Sequence, residues 1–232
     1  MLHCHPEGGP LLQGDVLRQG ASRPLRRTLG NMLRHDIAPA HSPVISQAVE
    51  ATQRWSSALA CALASFTTEE VFLDRVSGAL LFGPQPDLAP LAFTYVVFAA
   101  ARTDTLRRFE TERRVAVAQP YRDVLACANG VRSRAIQLFG IPSPTHAATG
   151  LLDDWLFQPL QLESAQQSWR LSYRPLHDEF MIGSLFRSAT ENGGLFCCNG
   201  RYLECSNESL IYYDTLDDVV TTALERWERS AA

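Results

Sequence analysis

Apolar residues recur at helical spacing from Ser42 onward, at Val44, Ile45, Ala48, Val49, Trp55, Leu59, Ala62 and Leu63. That spacing puts one face of a helix against a core, and Pro43 suits its first turn. Thr67 and Glu70 have capping-box spacing before "VFLDRVSGALLFGP", which predicts a second helix stopped by Gly83-Pro84. "TDTLRRFETERR" predicts a helix over about 104–114, with Leu106 and Phe109 facing inward. "VAQPYRDVLACANG" predicts another, with Pro120 in its first turn, Val124, Leu125 and Ala128 on one face and Asn129-Gly130 as its stop.

The period then changes. "RAIQLFG", "WRLSY", "EFMIGSLF", "GLFCCNG", "RYLEC" and "SLIYYD" are short runs of strand type. Asn199-Gly200 between two of them is a strong hairpin signal, because both residues tolerate positive φ. A last amphipathic helix carries Leu216, Val219, Val220, Ala223, Leu224 and Trp227 on one face, with Asp214 as its expected cap. Helices, then a meander of strands, then a closing helix predict an α+β fold with a mainly antiparallel sheet flanked by helices. The proline-rich "GPQPDLAP" is the expected boundary. It divides the chain into a loosely structured arm (1–40, with one short helix at "PLRRTLGNMLRH"), a helical extension (41–100) and an α+β domain (101–232).

Composition narrows the chemistry. All 21 basic residues are arginine, as codon usage in a GC-rich genome favours. Without lysine there is no P-loop lysine, no Schiff base and no kinase-type phosphate lysine. A net charge of −4 argues against direct nucleic-acid binding. The longest apolar run, "LAPLAFTYVVFAAA", has 14 residues, short of the roughly 20 that a spanning helix needs. It predicts buried core, no membrane partner and a soluble chain. The cysteines are Cys4, Cys61, Cys127, Cys197, Cys198 and Cys205, with no CxxC. They predict reduced thiols in the cytoplasm, no metal and no cofactor. Cys61 and Cys127 read as small buried hydrophobes, and Cys197 and Cys198 as strand neighbours on opposite faces.

The order of these pieces over about 104–227 resembles the SUKH superfamily, which includes the Smi/Knr-type cell-wall regulators of fungi. "TLRRFETERR" resembles that family's opening helix and "QPYRDVLACANG" its proline–aromatic helix ending in Asn-Gly. "IQLFGIP" is similar to its first strand, "FMIGSLF" to the strand carrying Ile-Gly, and "LIYYDTLDDVVTTALERW" to its closing tyrosine strand and helix. The chain departs from the pattern at Ala118-Gln119-Pro120, where Leu-Pro is common, and in a longer stretch over 142–168. The resemblance implies a binding protein rather than an enzyme. Bacterial members are best known as immunity proteins that neutralise toxins, commonly nucleases, and viral members as antagonists of host defence.

Charge points to binding independently. From Thr145 to Glu225 there are 12 acidic residues against 4 arginines. Gathered on one face they attract a basic protein surface, such as a toxin domain, and speed its association. The expected contact residues are Asp153, Asp154, Trp155, Glu163, Asp178, Glu179, Glu204 and Glu208. Tyr212-Tyr213 and Trp169 are of anchor type too. "HDE" at His177–Glu179 offers a hydrolase centred on His177 as the catalytic alternative. His3-Cys4-His5 is a terminal motif with too few ligands for a metal site, and no G-x-S-x-G elbow is present.

Overall fold

Among the described residues, ten short strands form one sheet, each hydrogen-bonded only to its neighbours in sequence, and every pairing is antiparallel. The structure is a computed structural model that describes residues 36–89, 92–114, 116–141, 162–166, 179–188, 191–206 and 209–231. The strands are β1 (Ile37–Pro39), β2 (Val71–Asp74), β3 (Leu80–Pro84), β4 (Phe93–Val97), β5 (Val131–Ser133), β6 (Ile136–Leu138), β7 (Glu179–Phe186), β8 (Asn192–Cys198), β9 (Arg201–Cys205) and β10 (Leu210–Tyr213). The helices are α1 (Ser42–Gln53), α2 (Ser57–Ala64), α3 (Thr103–Arg113), α4 (Gln119–Leu125), α5 (residues 162–166) and α6 (Leu216–Ala231).

The α+β class and the mainly antiparallel sheet are as the sequence predicts. The hairpin about Asn199-Gly200 forms as well, pairing Cys198 with Arg201 through Leu195 with Glu204. Both turn residues have positive φ, 47° at Asn199 and 82° at Gly200, as a primed turn requires.

Three expectations need correction. Residues 71–84 are not helical but form the β2–β3 hairpin, and the capping box at Thr67–Glu70 starts only a short 3-10 turn. Asp74 organises the turn: its carboxylate accepts from Val76 N–H, Ser77 N–H and the Ser77 hydroxyl, the last at 2.6 Å. "GPQPDLAP" is consequently a connection between adjacent strands β3 and β4 rather than a domain boundary, and residues 41–100 give two helices and three sheet strands. The end of the proposed arm supplies β1.

One face of the sheet carries a continuous core. Val71, Phe82, Val97, Val131, Ile136, Leu185, Leu195 and Tyr202 point there, against Leu59 and Leu63 of α2, Tyr121 and Leu125 of α4 and Val219 and Ala223 of α6. The opposite face has two smaller apolar clusters, one around Leu81, Val96 and Phe98, the other around Phe196, Leu203 and Cys205. Close approach of β6 and β7 requires Gly183, where a Cβ would lie 2.4 Å from the Gln137 carbonyl oxygen.

The α4 stop has a structural purpose. Asn129 donates to the Ile141 carbonyl at 2.6 Å and accepts from Ile141 N–H at 2.8 Å, so the helix end clamps the chain after β6. The buried Tyr121 hydroxyl donates to the Phe139 carbonyl beside it. Asp217 links the last helix to the first half of the chain. It accepts from the Ser56 and Ser57 hydroxyls at 2.9 and 2.5 Å and from Ala58 N–H at 3.1 Å, at the start of α2. Burial alone would push this carboxyl up, but the donors hold it below its ordinary range. The cap of α6 is Thr215, not Asp214: Thr215 and Asp218 exchange a reciprocal capping box.

Candidate functional site

Alternation along β9 sends Tyr202 and Glu204 to the helix-covered face and Leu203 and Cys205 to the other. Glu204 therefore enters the interior, with 0% of its surface exposed. Its Oε1 accepts from Arg187, just after β7, at 2.9 Å and from Arg226 of α6 at 2.8 Å. Its Oε2 accepts from the Tyr213 hydroxyl of β10 at 2.8 Å. Arg187 also donates to the Ser209 hydroxyl at 2.8 Å and pairs with Glu191 at 3.5 Å.

Burial acts first to raise the Glu204 pKa, but the donors from Arg226, Tyr213 and Arg187 outweigh it and hold the carboxyl below its ordinary value. Burial and the same carboxylate push the Tyr213 phenol up. The neighbouring Tyr202 is pushed up to about 12, chiefly by burial. A carboxylate so occupied is a poor general base, because each donor must be displaced before it takes a proton. It serves to tie β7, β9, β10 and α6 together.

Glu204 thus leaves the expected contact surface, a correction with a plain cause: its strand position faces inward. The sequence signal was present, since an acidic residue at an inward strand position needs a cation, and Arg226 sits on the closing helix. Glu163 in α5 pairs with Arg113 of α3 at 3.1 Å and is engaged within the fold. Glu179 begins β7, half-buried, and its pKa is raised by that burial. Asp153, Asp154, Trp155, Asp178 and Glu208, with Trp169, His177, the strand "WRLSY", the helix expected at "PLRRTLGNMLRH" and the His3-Cys4-His5 motif, lie outside the described residues.

Tyr212 and Tyr213 part company. Tyr213 faces Glu204, whereas Tyr212 is 53% exposed on the opposite face. The Arg201 guanidinium lies 5.8 Å from the Tyr212 ring centroid and pairs with Asp214 at 2.8 Å. Asp214, Asp218, Glu225 and Glu228 are exposed. Cys197 is buried and Cys198 half-buried on opposite faces, as expected, but Cys61 is exposed rather than buried. Among the described residues no group of three or more His, Cys, Asp or Glu is placed to hold a metal ion. No helix among them is long and apolar enough to cross a membrane.

Comparison with protein-family models, with curated proteins and with solved structures finds no match to this chain.

Proposed function

We propose that this protein is a non-catalytic binder of the SUKH kind, most simply an immunity protein that neutralises a toxin by covering a basic surface, as on a nuclease domain. The observation that carries the reading is the acidic excess from Thr145 to Glu225, 12 acidic residues against 4 arginines. Asp214, Asp218 and Glu225 from that stretch are exposed. Asp153 and Asp154 supply further charge and Trp155 an anchor, with Asp178, Glu179 and Glu208 completing the contact set. Opposed charge on two proteins accelerates their encounter, and a desolvated aromatic slows their separation.

The test starts from the neighbouring genes: a cationic toxin domain encoded there is purified and its binding followed by surface-based kinetics. Raising salt from about 50 to about 500 mM shortens the Debye length to a few ångströms and should slow association markedly. Reversing Asp153 and Asp154 to Arg should do the same without lowering the melting temperature. Trp155→Ala should act on dissociation instead, costing about 2 kcal/mol. Binding that ignores both salt and the double reversal rejects the acidic-surface mechanism. Activity lost in His177→Ala while affinity is unchanged would favour the hydrolase.

A further inference from the structure

We infer that the outer edge of β10, which pairs with no strand among the described residues, is a self-pairing surface, through which two copies of this chain join their sheets antiparallel. The phase of the last hairpin determines what that edge presents. Ser206 N–H donates to the Ser209 carbonyl at 3.0 Å, and the register continues Leu210↔Cys205, Ile211↔Glu204, Tyr212↔Leu203 and Tyr213↔Tyr202. Bonded and non-bonded pairs alternate in an antiparallel ladder, so Ser209, Ile211 and Tyr213 bond inward to β9. The N–H and C=O groups of Leu210 and Tyr212 consequently point away from the sheet. The Asn199-Gly200 turn gives the same phase from the other side. It closes on Cys198↔Arg201, which turns Arg201, Leu203 and Cys205 toward β8 and leaves Tyr202 and Glu204 for β10.

The side chains agree with the backbone. Met181, Phe196, Leu203 and Tyr212 are successive cross-strand partners on the face away from α6, and Gly194, Cys205 and Leu210 form the next row. Phe196 and Leu203 are buried, yet each row ends at the edge in an exposed large side chain, Tyr212 at 53% and Leu210 at 56%. Two apolar rows thus run off the sheet where its hydrogen-bonding groups are also open.

The other edge is built differently. In β1, Ala40 N–H donates to the Val71 carbonyl and Arg75 N–H to the Asp36 carbonyl, so Ile37 and Pro39 face outward. Pro39 has no N–H to offer, and the Arg75–Asp36 ion pair stands at the strand's end. An ion pair, Arg201–Asp214, also stands at the end of β10, so the difference lies within the strands: β10 has no proline and no charge among its four residues.

A second copy fits this edge by symmetry. With a two-fold axis through Ile211, Leu210 meets Tyr212 of the other copy and Tyr212 meets its Leu210. Both are hydrogen-bonded pairs, both are aliphatic–aromatic on one face, and the apolar rows continue into the second sheet. Only this register engages both outward residues of each strand with each other. The contact is short, so the dimer is reversible and concentration-dependent.

The inference does not rest on the toxin-binding proposal, and sedimentation velocity on the purified full chain tests it alone. Across roughly 1 to 500 µM, the wild type should pass from monomer to dimer. Tyr212→Pro removes an outward donor while sparing the bonds to β9, and Leu210→Asp puts a charge in the pairing row. Each should weaken dimerisation at least about tenfold, with the melting temperature little changed. Dimerisation should persist in about 500 mM salt, because backbone and apolar groups make it. A wild type that stays monomeric throughout, or folded variants that dimerise as well as the wild type, would overturn self-pairing.

Discussion

Two regions of the helix-covered face solve the same packing problem with opposite chemistry. At β3–β4, Phe82 and Tyr95 meet Phe66 at centroid distances of 5.9 and 6.0 Å for the Phe66 pairs, an aromatic cluster held by contact area. At β9–β10, Glu204 and Tyr213 meet Arg187 and Arg226, a cluster held by charge and direction. Apolar area is indifferent to pH and forgiving of angle. An ion-paired carboxylate is neither, so it fixes the rotation of α6 on the sheet at the cost of desolvation.

Truncation separates the two regions most sharply. Phe82→Ala should lose about 4 kcal/mol in denaturant unfolding, equally at neutral and mildly acidic pH. Glu204→Ala should lose about 3 kcal/mol at neutral pH, because it leaves two guanidinium groups facing a cavity. Replacing Glu204 and Arg226 together by methionine should cost less than the single change, if the penalty lies in the uncompensated charge.

The pH dependence sharpens the contrast further. The folded pKa of Glu204 lies below its ordinary 4.5, so its contribution is complete above that value and fades as pH falls through the folded pKa. Glu204→Gln should cost about 2 kcal/mol at pH 7, and the gap from wild type should narrow below pH 4.5. A gap of constant size down to acid would show that the ion pairs add nothing beyond shape. The smallest effects test the supports. Tyr213→Phe should cost about 1 kcal/mol. Ser56→Ala should cost about as much, through its cap on Leu59 N–H and its bond to Asp217.

The aromatic region is the less legible of the two in the sequence. Phe72, Leu73, Val76 and Leu80 within "VFLDRVSGALLFGP" fit a helical stripe nearly as well as strands, and the capping box points the same way. The Ser77-Gly78 pair was the contrary signal, since Gly78 takes φ 73° in the turn. From β7 onward, alternating residues and a diagnostic turn dipeptide left little ambiguity, and those strands lie where the pattern predicts. The acidic excess from Thr145 to Glu225 was legible only as composition. Strand alternation marks Glu204 as inward, but local sequence does not say which arginines reach it, and Arg187 beyond β7 and Arg226 on α6 both do.

Strand order has a consequence for how the chain comes to be folded. Because each strand pairs with the one before it, the sheet can lengthen as synthesis proceeds, through short loops at most pairings and long connections at β1–β2, β4–β5 and β6–β7. The helical layer has no such freedom. Asp217 must find Ser56 and Ser57 across about 160 residues, and Arg226 must find Glu204, before the core is sealed. Until α6 leaves the ribosome, the apolar face of a nearly finished sheet is exposed. The interval before α6 docks is therefore one in which exposed apolar surface favours aggregation.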